Sequence, residues 1–255
     1  MGAPTFSAPL NWADLYNYLM ITFVCATRGA RAEFESQTLL GQSLQAAGEM
    51  LPLRLCLFER NTRPLGDCYN EALDEAGDDD VLVFVHDDVA LDDWLCGWRV
   101  QEALLHFDVV GVAGNRRCQP RQSTWWLQPP PDDAQPEVMP WDHGQLSGAI
   151  RHLGPSGPAV SHYGPMPAPV ALLDGVFLAV RARTLKASGV RFDPALSFHF
   201  YDLDFCRAAT AAGLKLGTWP IAISHRSAGE SMQSQAWLDS RALYWRKYNE
   251  SGSHT

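Results

Sequence analysis

Short apolar runs alternate with longer, more polar segments along the first third of the chain. Residues 21–25, 53–58 and 81–85 are rich in β-branched, aliphatic and aromatic side chains, a pattern typical of strands buried on both faces of a sheet. The segments between them, residues 33–47 and 67–76, are predicted to be helices. This alternation predicts a right-handed unit of parallel strands and therefore an α/β fold.

The rest of the chain repeats this alternation, with one long interruption. Residues 119–169 contain 11 of the 17 prolines, so they are predicted to be a long irregular insertion of the kind that serves as a lid or binding loop. Its aromatic side chains, Trp141 among them, either stack on sugar rings or anchor the loop to the body. The other predicted elements are a helix at 94–105, a strand at 108–114, a strand or strand pair at 168–180, a helix ending at residue 212, short strands at 214–218 and 221–224, and a closing helix.

Length and composition limit the classes of function. The chain has 255 residues, 46% of them hydrophobic and 19% charged, which suits one globular domain with a substantial core. Its formal net charge of −9 and the lack of a basic run argue against nucleic-acid binding, which needs Lys and Arg to neutralise phosphates. The six cysteines are scattered without a Cys-x-x-Cys pair, so buried thiols are predicted rather than disulfides or a zinc site.

We expect a cytoplasmic protein from the distribution of apolar residues. No apolar stretch approaches the ~20 residues that cross a bilayer, and the first ten residues lack the basic-then-apolar layout of a signal peptide. The closing helix carries Trp237, Tyr244, Trp245 and Tyr248 near basic residues. It either packs these aromatic side chains into the core or seats the protein peripherally on the inner face of an anionic membrane.

The most informative junction follows the central apolar run, where His86, Asp87 and Asp88 come in succession. In an open α/β sheet, ligands bind at the carboxyl ends of the strands. Clustered carboxylates at that edge suit a divalent cation shared with a phosphorylated substrate, which predicts a metal–nucleotide site. The alternative is that these aspartates, with Asp92 and Asp93, only solvate a loop and cap the next helix.

Comparable groups lie at two later positions. Asp202 and Asp204 stand at the predicted start of a helix, and His225 follows the last short strand. Each has a structural alternative, because Asp202 could be a helix cap and a single late histidine is commonly structural. Asp174 and Gly175 interrupt a strand pattern, where they either form a turn or hold a sugar, with the glycine allowing close backbone approach.

Six segments, taken in their order along the chain, match the motifs of a known enzyme family. The segments are Ala26-Thr27-Arg28, Leu65-Gly66-Asp67-Cys68-Tyr69-Asn70, Val85-His86-Asp87-Asp88-Val89, Leu173-Asp174-Gly175, Tyr201-Asp202-Leu203-Asp204-Phe205-Cys206 and His225-Arg226-Ser227-Ala228-Gly229-Glu230. With this set the chain resembles the family-2-type glycosyltransferases of the glycosyltransferase-A (GT-A) fold, particularly the single-domain bacterial branch with an H-x-D metal motif. The resemblance implies a GT-A-like (Rossmann-related), mostly parallel central sheet flanked by helices.

The resemblance also implies a role for each matched residue. Asp88 would bind the metal that bridges the diphosphate of a nucleotide sugar, His225 would complete the coordination with His86 as a further candidate ligand, and Asp202 would be the general base. Candidate nucleotide-binding residues are Ala26, Thr27, Arg28, Glu59, Asn61, Asn70 and Asp87. Candidate residues for the donor sugar or acceptor are Asp174, Gly175, Asp204 and Trp141.

The physical chemistry of sugar transfer is consistent with these roles. Charge builds on the leaving phosphate oxygen in the transition state, so a cation held there stabilises it more than the ground state. Oxygen ligands suit Mg²⁺ or Mn²⁺, and an added imidazole favours Mn²⁺. A carboxylate that deprotonates the acceptor hydroxyl during attack gives inversion. We therefore predict an inverting, hexosyltransferase-like enzyme with a UDP- or GDP-type donor and a glycan, lipid-linked or small-molecule acceptor.

Departures from the family pattern leave alternatives open. Glu59, Arg60 and Asn61 stand where many relatives carry an aspartate-rich turn that reads the base, and Tyr201 stands where the family often has Glu. The alternatives are a catalytically inert GT-A-like binding module and a sugar-phosphate nucleotidyltransferase, whose glycine-rich phosphate loop is missing after the first strand. The predicted organisation is one domain over residues 1–255, with a nucleotide-binding half (21–118), the insertion (119–169), an acceptor and catalytic half (170–230) and a C-terminal helix and tail (231–255).

Overall fold

The computed structural model describes residues 20–48, 53–129, 139–154, 157–226 and 234–249. In these residues the strands are β1 (Ile21–Ala26), β2 (Leu53–Phe58), β3 (Val81–Val85), β4 (Val89–Leu91), β5 (Val109–Gly111), β6 (Ala113–Asn115), β7 (Leu146–Gly154), β8 (Gly157–Gly164), β9 (Ala168–Val170), β10 (Leu172–Leu173), β11 (Phe177–Arg181), β12 (Leu216–Thr218) and β13 (Ile223–His225). The helices are α1 (Arg31–Gln37), α2 (Leu39–Ala47), α3 (Leu65–Glu75), α4 (Cys96–Ala103), α5 (Ala182–Ser188), α6 (Tyr201–Ala211) and α7 (Gln235–Asn249).

A seven-stranded sheet with the order β2-β1-β3-β11-β5-β12-β9 forms the centre of the fold. β1 pairs in parallel with β2 and β3, β12 pairs in parallel with β5, and β11 runs antiparallel to both of its neighbours. Five of the seven strands therefore point the same way, and only β9 and β11 are reversed. The predicted α/β class with a mostly parallel central sheet is confirmed.

The middle of this sheet is buried because its strands carry almost only apolar side chains. All five residues of β3 are buried. Tyr69 from α3 packs on Phe84 of β3 with ring centroids 4.8 Å apart, and Phe192 packs on the same ring at 5.0 Å. Burial of one such side chain contributes about 1.5–3 kcal/mol. The polar residues that follow β3 therefore extend from a tightly packed strand end.

A second sheet has the order β10-β6-β7-β13-β4, and β8 also pairs with β7. β7 and β8 form an antiparallel hairpin within the predicted insertion. This hairpin corrects the prediction of an irregular segment up to residue 169, whereas residues 116–129 and 139–145 are irregular apart from one bridge between Leu127 and Trp141. The strand signal was weak because β8 is largely exposed on both faces, so its side chains do not alternate in polarity.

Four of the connections between the two sheets lie at the same edge of the central sheet, which we call the functional edge. The connections are residues 86–88 from β3 to β4, residue 112 from β5 to β6, residues 174–176 from β10 to β11 and residues 219–222 from β12 to β13. The first and third lie side by side because Phe177 pairs with Val85. This edge is the carboxyl end of the parallel strands, where ligands bind in open α/β folds.

The helix predicted at residues 33–47 is two helices, because Thr38 has an extended backbone and ends the first of them. Thr38 Oγ1 accepts from Gly41 N at 3.0 Å, which caps α2. A glycine is needed at position 41 because a Cβ there would overlap the backbone of α1. Leu40 N in the first turn of α2 then donates to the Asp87 carbonyl at 3.1 Å, which joins this helix to the acidic connection.

The closing helix α7 packs its aromatic side chains against the body, the first of the two predicted alternatives. Trp237 and Tyr244 expose only 6% and 0% of their surface. Lys247 Nζ lies 2.8 Å from the buried carboxylate of Asp204 in α6, and the Tyr248 hydroxyl donates to it at 2.7 Å. These contacts fasten α7 to α6.

All six cysteines are free thiols, as predicted. Burial raises the pKa of Cys96 to about 12, which makes its thiol unreactive at neutral pH. Among the helices of the described residues, none combines the length and apolar character needed to cross a bilayer.

Candidate functional site

Three of the predicted residues come together at the functional edge. One ligand atom from each of His86, Asp88 and His225 lies within 4.8 Å of the other two. His225 Nε2 is 3.3 Å from Asp88 Oδ2. Two imidazoles and a carboxylate at this spacing form a donor set for a divalent metal ion.

The pairing of β4 with β13 explains why groups so distant in sequence meet. In their antiparallel register Val89 lies opposite His225, and Arg226 N donates to the Asp88 carbonyl at 2.9 Å. His86 reaches the same place because only a short turn separates β3 from β4. The three side chains are therefore brought together by the backbone itself.

The chemistry of this group fits a cation. Asp88 Oδ1 is buried and has no hydrogen-bond partner among the described residues, which is costly unless an ion reaches it. The Tyr201 hydroxyl donates to the Gly175 carbonyl at 2.9 Å and, having a single proton, accepts from His86 Nε2 at 2.7 Å. The other ring nitrogen of His86 is then unprotonated, the form in which an imidazole binds metals.

Electrostatics place His86 and Asp88 in charge states suited to a cation, whereas the contact with Asp88 favours the protonated form of His225. Burial lowers the pKa of His86, which keeps its ring neutral. Burial opposes ionisation of Asp88, but the hydrogen bond and charge of His225 outweigh it and lower the pKa of Asp88 below its usual value. Burial likewise opposes the charged form of His225, and the same contact with Asp88 raises the pKa of His225. Asp88 is therefore ionised at neutral pH, as cation binding requires.

Asp202 lies in the first turn of α6 and faces the connection between β10 and β11. Its Oδ2 accepts from Gly175 N at 3.1 Å and its Oδ1 from Leu203 N at 2.9 Å. These N–H groups favour the carboxylate, but burial and then the charge of Asp174 outweigh them and raise the pKa of Asp202 to about 7. A carboxylate with a pKa near neutrality is well matched to accept a proton from a substrate.

Two cavities meet at these residues. The smaller one, about 150 Å³, is lined by His86 and Asp202 and by several aromatic side chains. The larger one, about 910 Å³, is lined by Asp87, Asp88 and the loops that follow β1 and β2. Phe198 lines both, and its ring stacks on that of His86 with centroids 6.0 Å apart. His86 lines the smaller cavity and Asp88 the larger one, so the candidate cation group lies between the two cavities.

The larger cavity contains most of the residues predicted to bind a nucleotide. They are Ala26, Thr27, Arg28, Asn61 and Asp87. Thr27 Oγ1 donates to Asp87 Oδ2 at 2.7 Å, which fixes that carboxylate at the cavity wall. The exposed guanidinium of Arg28 offers a positive charge suited to a phosphate.

Two other predicted nucleotide-binding residues lie outside this lining. Glu59 accepts from Arg31 N at 2.8 Å, so its carboxylate caps the start of α1. The Asn70 amide donates to the Phe192 carbonyl at 2.8 Å and accepts from Phe192 N at 3.1 Å. Both side chains make contacts that hold the fold together, and their role in nucleotide binding stays a prediction.

Two residues predicted to bind the donor sugar or acceptor also lie away from both cavities. Asp204 exposes 1% of its surface and faces α7, because two residues along a helix turn the side chain by about 200° from the direction of Asp202. Trp141 stacks on His143 at 5.4 Å and on Tyr163 at 6.0 Å. The observed contacts of Trp141 lie within the insertion and leave it 43% exposed, and the carboxylate of Asp204 joins two helices, so a role of either residue in sugar binding stays a prediction.

Phe198 and Trp237 were not predicted as lining residues. Phe198 exposes 41% of its surface shortly before the Tyr201-Asp202 segment, and because it stands among other apolar residues its exposure had no signal in the sequence. Trp237 reaches the smaller cavity only through the packing of α7, which has no sequence signature.

Gly175→Ala is expected to disturb this site without changing any charge. A Cβ on Gly175 would overlap the Tyr201 hydroxyl and lie 2.9 Å from Asp202 Cβ. Overpacking of this kind costs about 1–3 kcal/mol and would move the hydroxyl away from His86. We expect a lower melting temperature and weaker Mn²⁺ binding, measured by calorimetry.

Gly144→Ala is the matched control for this change, because a Cβ there meets no atom within 4 Å. It should keep the wild-type melting temperature and Mn²⁺ affinity. Wild-type affinity in the Gly175 variant as well would contradict the close packing described for that glycine.

Comparisons with known proteins give structural similarities only. No protein-family model and no curated protein sequence matches the chain. The catalytic domain of Drosophila β1,4-galactosyltransferase 7 in complex with xylobiose has a TM-score of 0.44 at 11% identity and covers 87% of this chain and 79% of its own. GalNAc-T7 with UDP, GalNAc and Mn²⁺ has a TM-score of 0.48 at 10% identity, covering 94% of this chain and 46% of its own.

A third solved structure, A197 from STIV, has a TM-score of 0.43 at 10% identity and covers 78% of this chain and 81% of its own. TM-scores below 0.5 establish neither a family nor an activity for the chain, so its function has to follow from the site.

Proposed function

We propose that this protein is an inverting, metal-dependent glycosyltransferase of the GT-A type that transfers a sugar from a nucleoside-diphosphate donor to an acceptor hydroxyl. The observation that carries the proposal is the position of His86, Asp88 and His225 at the boundary between two cavities, with Asp202 in the smaller one. Sugar transfer needs this arrangement, because the leaving group and the attacking group must lie on opposite sides of one carbon.

The larger cavity suits the donor. Its volume of about 910 Å³ lies within the usual range for ligand cavities, about 300–1,000 Å³. A divalent cation held by His86, Asp88 and His225 would supply positive charge to the diphosphate oxygen on which charge builds as the bond breaks. Two imidazole ligands favour Mn²⁺ over Mg²⁺. A UDP- or GDP-type nucleoside would then lie among the loops after β1 and β2.

The residues of the smaller cavity would act on the acceptor. Asp202 takes the proton from the attacking hydroxyl, and the N–H groups of Gly175 and Leu203 hold its two oxygens in place. Tyr201 links the Gly175 carbonyl to His86, so the position of the base is coupled to that of the cation group. Attack from this side, opposite the departing diphosphate, inverts the anomeric centre.

A thermal-shift screen tests this proposal. UDP, GDP and their sugar conjugates are each added with Mn²⁺, with Mg²⁺ and with a chelator. We expect one nucleoside diphosphate to raise the melting temperature only when the cation is present, because a ligand at 100 times its Kd stabilises the folded state by about 2.7 kcal/mol. Equal stabilisation with and without the cation would contradict the proposal. So would the absence of stabilisation by any of the nucleotides.

Turnover then separates an enzyme from an inert binding module. The stabilising nucleotide sugar is incubated with Mn²⁺, and release of the nucleoside diphosphate is followed with and without added saccharides. Binding without any release, in the absence and presence of acceptors, would favour the inert module.

A further inference from the structure

The smaller cavity defines the chemistry of the acceptor, which the sequence left open. Six of its lining residues are aromatic: Trp125, Trp126, Phe198, Phe200, Tyr201 and Trp237. Aromatic faces bury the C–H surface of a sugar ring and leave its hydroxyls to polar partners. Ser123, Thr124 and Asp174 supply such partners in the same lining.

The charges of the residues that line this cavity argue against phosphate binding there. Asp174 and Asp202 bring two carboxylates, and none of the described residues that line the cavity is Lys or Arg. Proteins bind phosphates through Arg, Lys or the free amides of a helix N-terminus. The Leu203 amide at the start of α6 is already used by Asp202.

The aromatic walls are held in place from two sides. Asn115 Nδ2 donates to the Trp125 carbonyl at 2.9 Å and to Asp142 Oδ2 at 3.0 Å, and Asp142 in turn pairs with Arg117 at 2.6 Å. These contacts fix the insertion against the end of β6. On the other side, Trp237 of α7 packs on Phe200 with ring centroids 5.2 Å apart. The cavity is therefore a built site and not a gap between mobile side chains.

We propose that the acceptor is an uncharged sugar, whose ring packs against the tryptophan walls and whose hydroxyl lies beside Asp202. This inference rests on the glycosyltransferase function proposed above. The hydroxyl oxygen forms a bond to the anomeric carbon of the donor, and the bond from that carbon to the diphosphate oxygen breaks. The electron pair leaves with the diphosphate, and the hydroxyl proton passes to Asp202. A lipid phosphate or sugar phosphate that attacks through its phosphate oxygen would not need Asp202 as a general base.

An acceptor panel tests the inference, using the donor identified by thermal shift and Mn²⁺. The neutral probes are the methyl β-glycosides of glucose, galactose and xylose. The phosphate probes are farnesyl phosphate and glucose 6-phosphate. We expect products, detected by mass spectrometry, from at least one neutral glycoside and none with the sugar attached to a phosphate oxygen. Phosphate-linked products alone, or no product from any neutral glycoside while the donor binds, would overturn the inference and leave the proposed function standing.

Variants of the walls give a second readout. Trp237→Ala should raise the acceptor KM about two- to tenfold and leave the donor KM unchanged, because it removes one aromatic wall of the acceptor cavity and none of the donor cavity. Trp126→Ala, whose side chain is only partly buried, provides a second variant if the first lowers the melting temperature too far. Trp98→Ala on α4 is the control, since Trp98 is 50% exposed and lies outside the cavity lining.

Unchanged acceptor KM in both folded wall variants would overturn the inference. Absence of nucleotide binding would instead remove the proposed function, and the inference with it.

Discussion

Asp202→Asn is expected to reduce sugar transfer by about two to four orders of magnitude, the usual contribution of a general base, while Mn²⁺-dependent nucleotide binding stays at the wild-type level. The amide cannot take up the hydroxyl proton, but its oxygen can still accept from Gly175 N, so one of the two hydrogen bonds that hold this side chain is retained. Transfer is measured by nucleotide release in the presence of acceptor, and binding by calorimetry. Unchanged turnover would remove Asp202 from the mechanism.

Asp204→Asn is the matched control for this experiment. Asp204 is also an acidic residue in the first turn of α6, but its carboxylate lies 2.8 Å from Lys247 and bonds to Tyr248 in α7. We expect this variant to lose about 1–3 kcal/mol of stability, because a buried charged hydrogen bond is weakened. Its kcat, measured well below its melting temperature, should remain close to that of the wild type. A loss of kcat equal to that of Asp202→Asn would assign the effect to the helix and not to the base.

The pH dependence of the wild type reports on the same carboxylate. Burial and the charge of Asp174 raise the pKa of Asp202 to about 7, so kcat/KM should rise with pH up to about 7 and level off above it. The effect of pH on stability through Asp202 runs in the opposite direction to its effect on kcat/KM. The folded state keeps this proton up to about pH 7, whereas an unfolded aspartate loses it near pH ~3.9, so the contribution of Asp202 to stability declines as pH rises between these values. Asp202→Asn should flatten that part of the melting-temperature profile.

Asp88→Ala is expected to weaken nucleoside-diphosphate binding in the presence of Mn²⁺ by more than about 100-fold, since even the loss of an outer partner of a metal ligand costs about 10–100-fold. The change removes the carboxylate from the group formed with His86 and His225 and leaves two imidazoles at the boundary of the cavities. Calorimetry with and without Mn²⁺ measures both affinities. The cation-independent part of binding should be unaffected or improved, because a negative charge near the diphosphate is gone.

Asp92→Asn controls for a general loss of acidic charge in this region. Asp92 lies just beyond β4, and its Oδ2 accepts from Ser224 Oγ at 2.5 Å, a contact that an amide oxygen can maintain. We expect wild-type affinity in this variant. Equal affinity of Asp88→Ala and wild type would count against the metal assignment.

The strands of the central sheet could be predicted because their burial leaves a clear pattern. β3 is buried along its whole length and reads as an unbroken apolar run, and the polar residues after it mark the edge of the sheet. β8 shows the opposite case, since both of its faces are exposed and no alternation distinguishes it from a loop. The division of residues 108–114 into β5 and β6 was also missed, because both halves are buried and only Val112 turns the chain into the second sheet.

The candidate site could be predicted as a set of residues, but not as a geometry. Asp88 and His225 meet through the pairing of β4 with β13; β4 has no sequence signal of its own, and the short strand predicted at 221–224 does not reveal its partner. Asp202 and Asp204 look equivalent in the sequence, and only the helix rotation assigns one to the cavity and the other to α7. The three tryptophans that line the smaller cavity come from the insertion and from the last helix, whose docking on the body depends on the whole fold.

The register between β4 and β13 also determines where this chain tolerates changes in length. Val89 lies opposite His225, and the hydrogen bond from Ser224 to Asp92 keeps the same two strands in register. Deleting one residue within either strand would turn the imidazole to the opposite face of the sheet. Residues 116–129 and 139–145 lie outside this pairing, so changes in length there are expected to alter the acceptor cavity that Trp125 and Trp126 line, while the cation group is preserved.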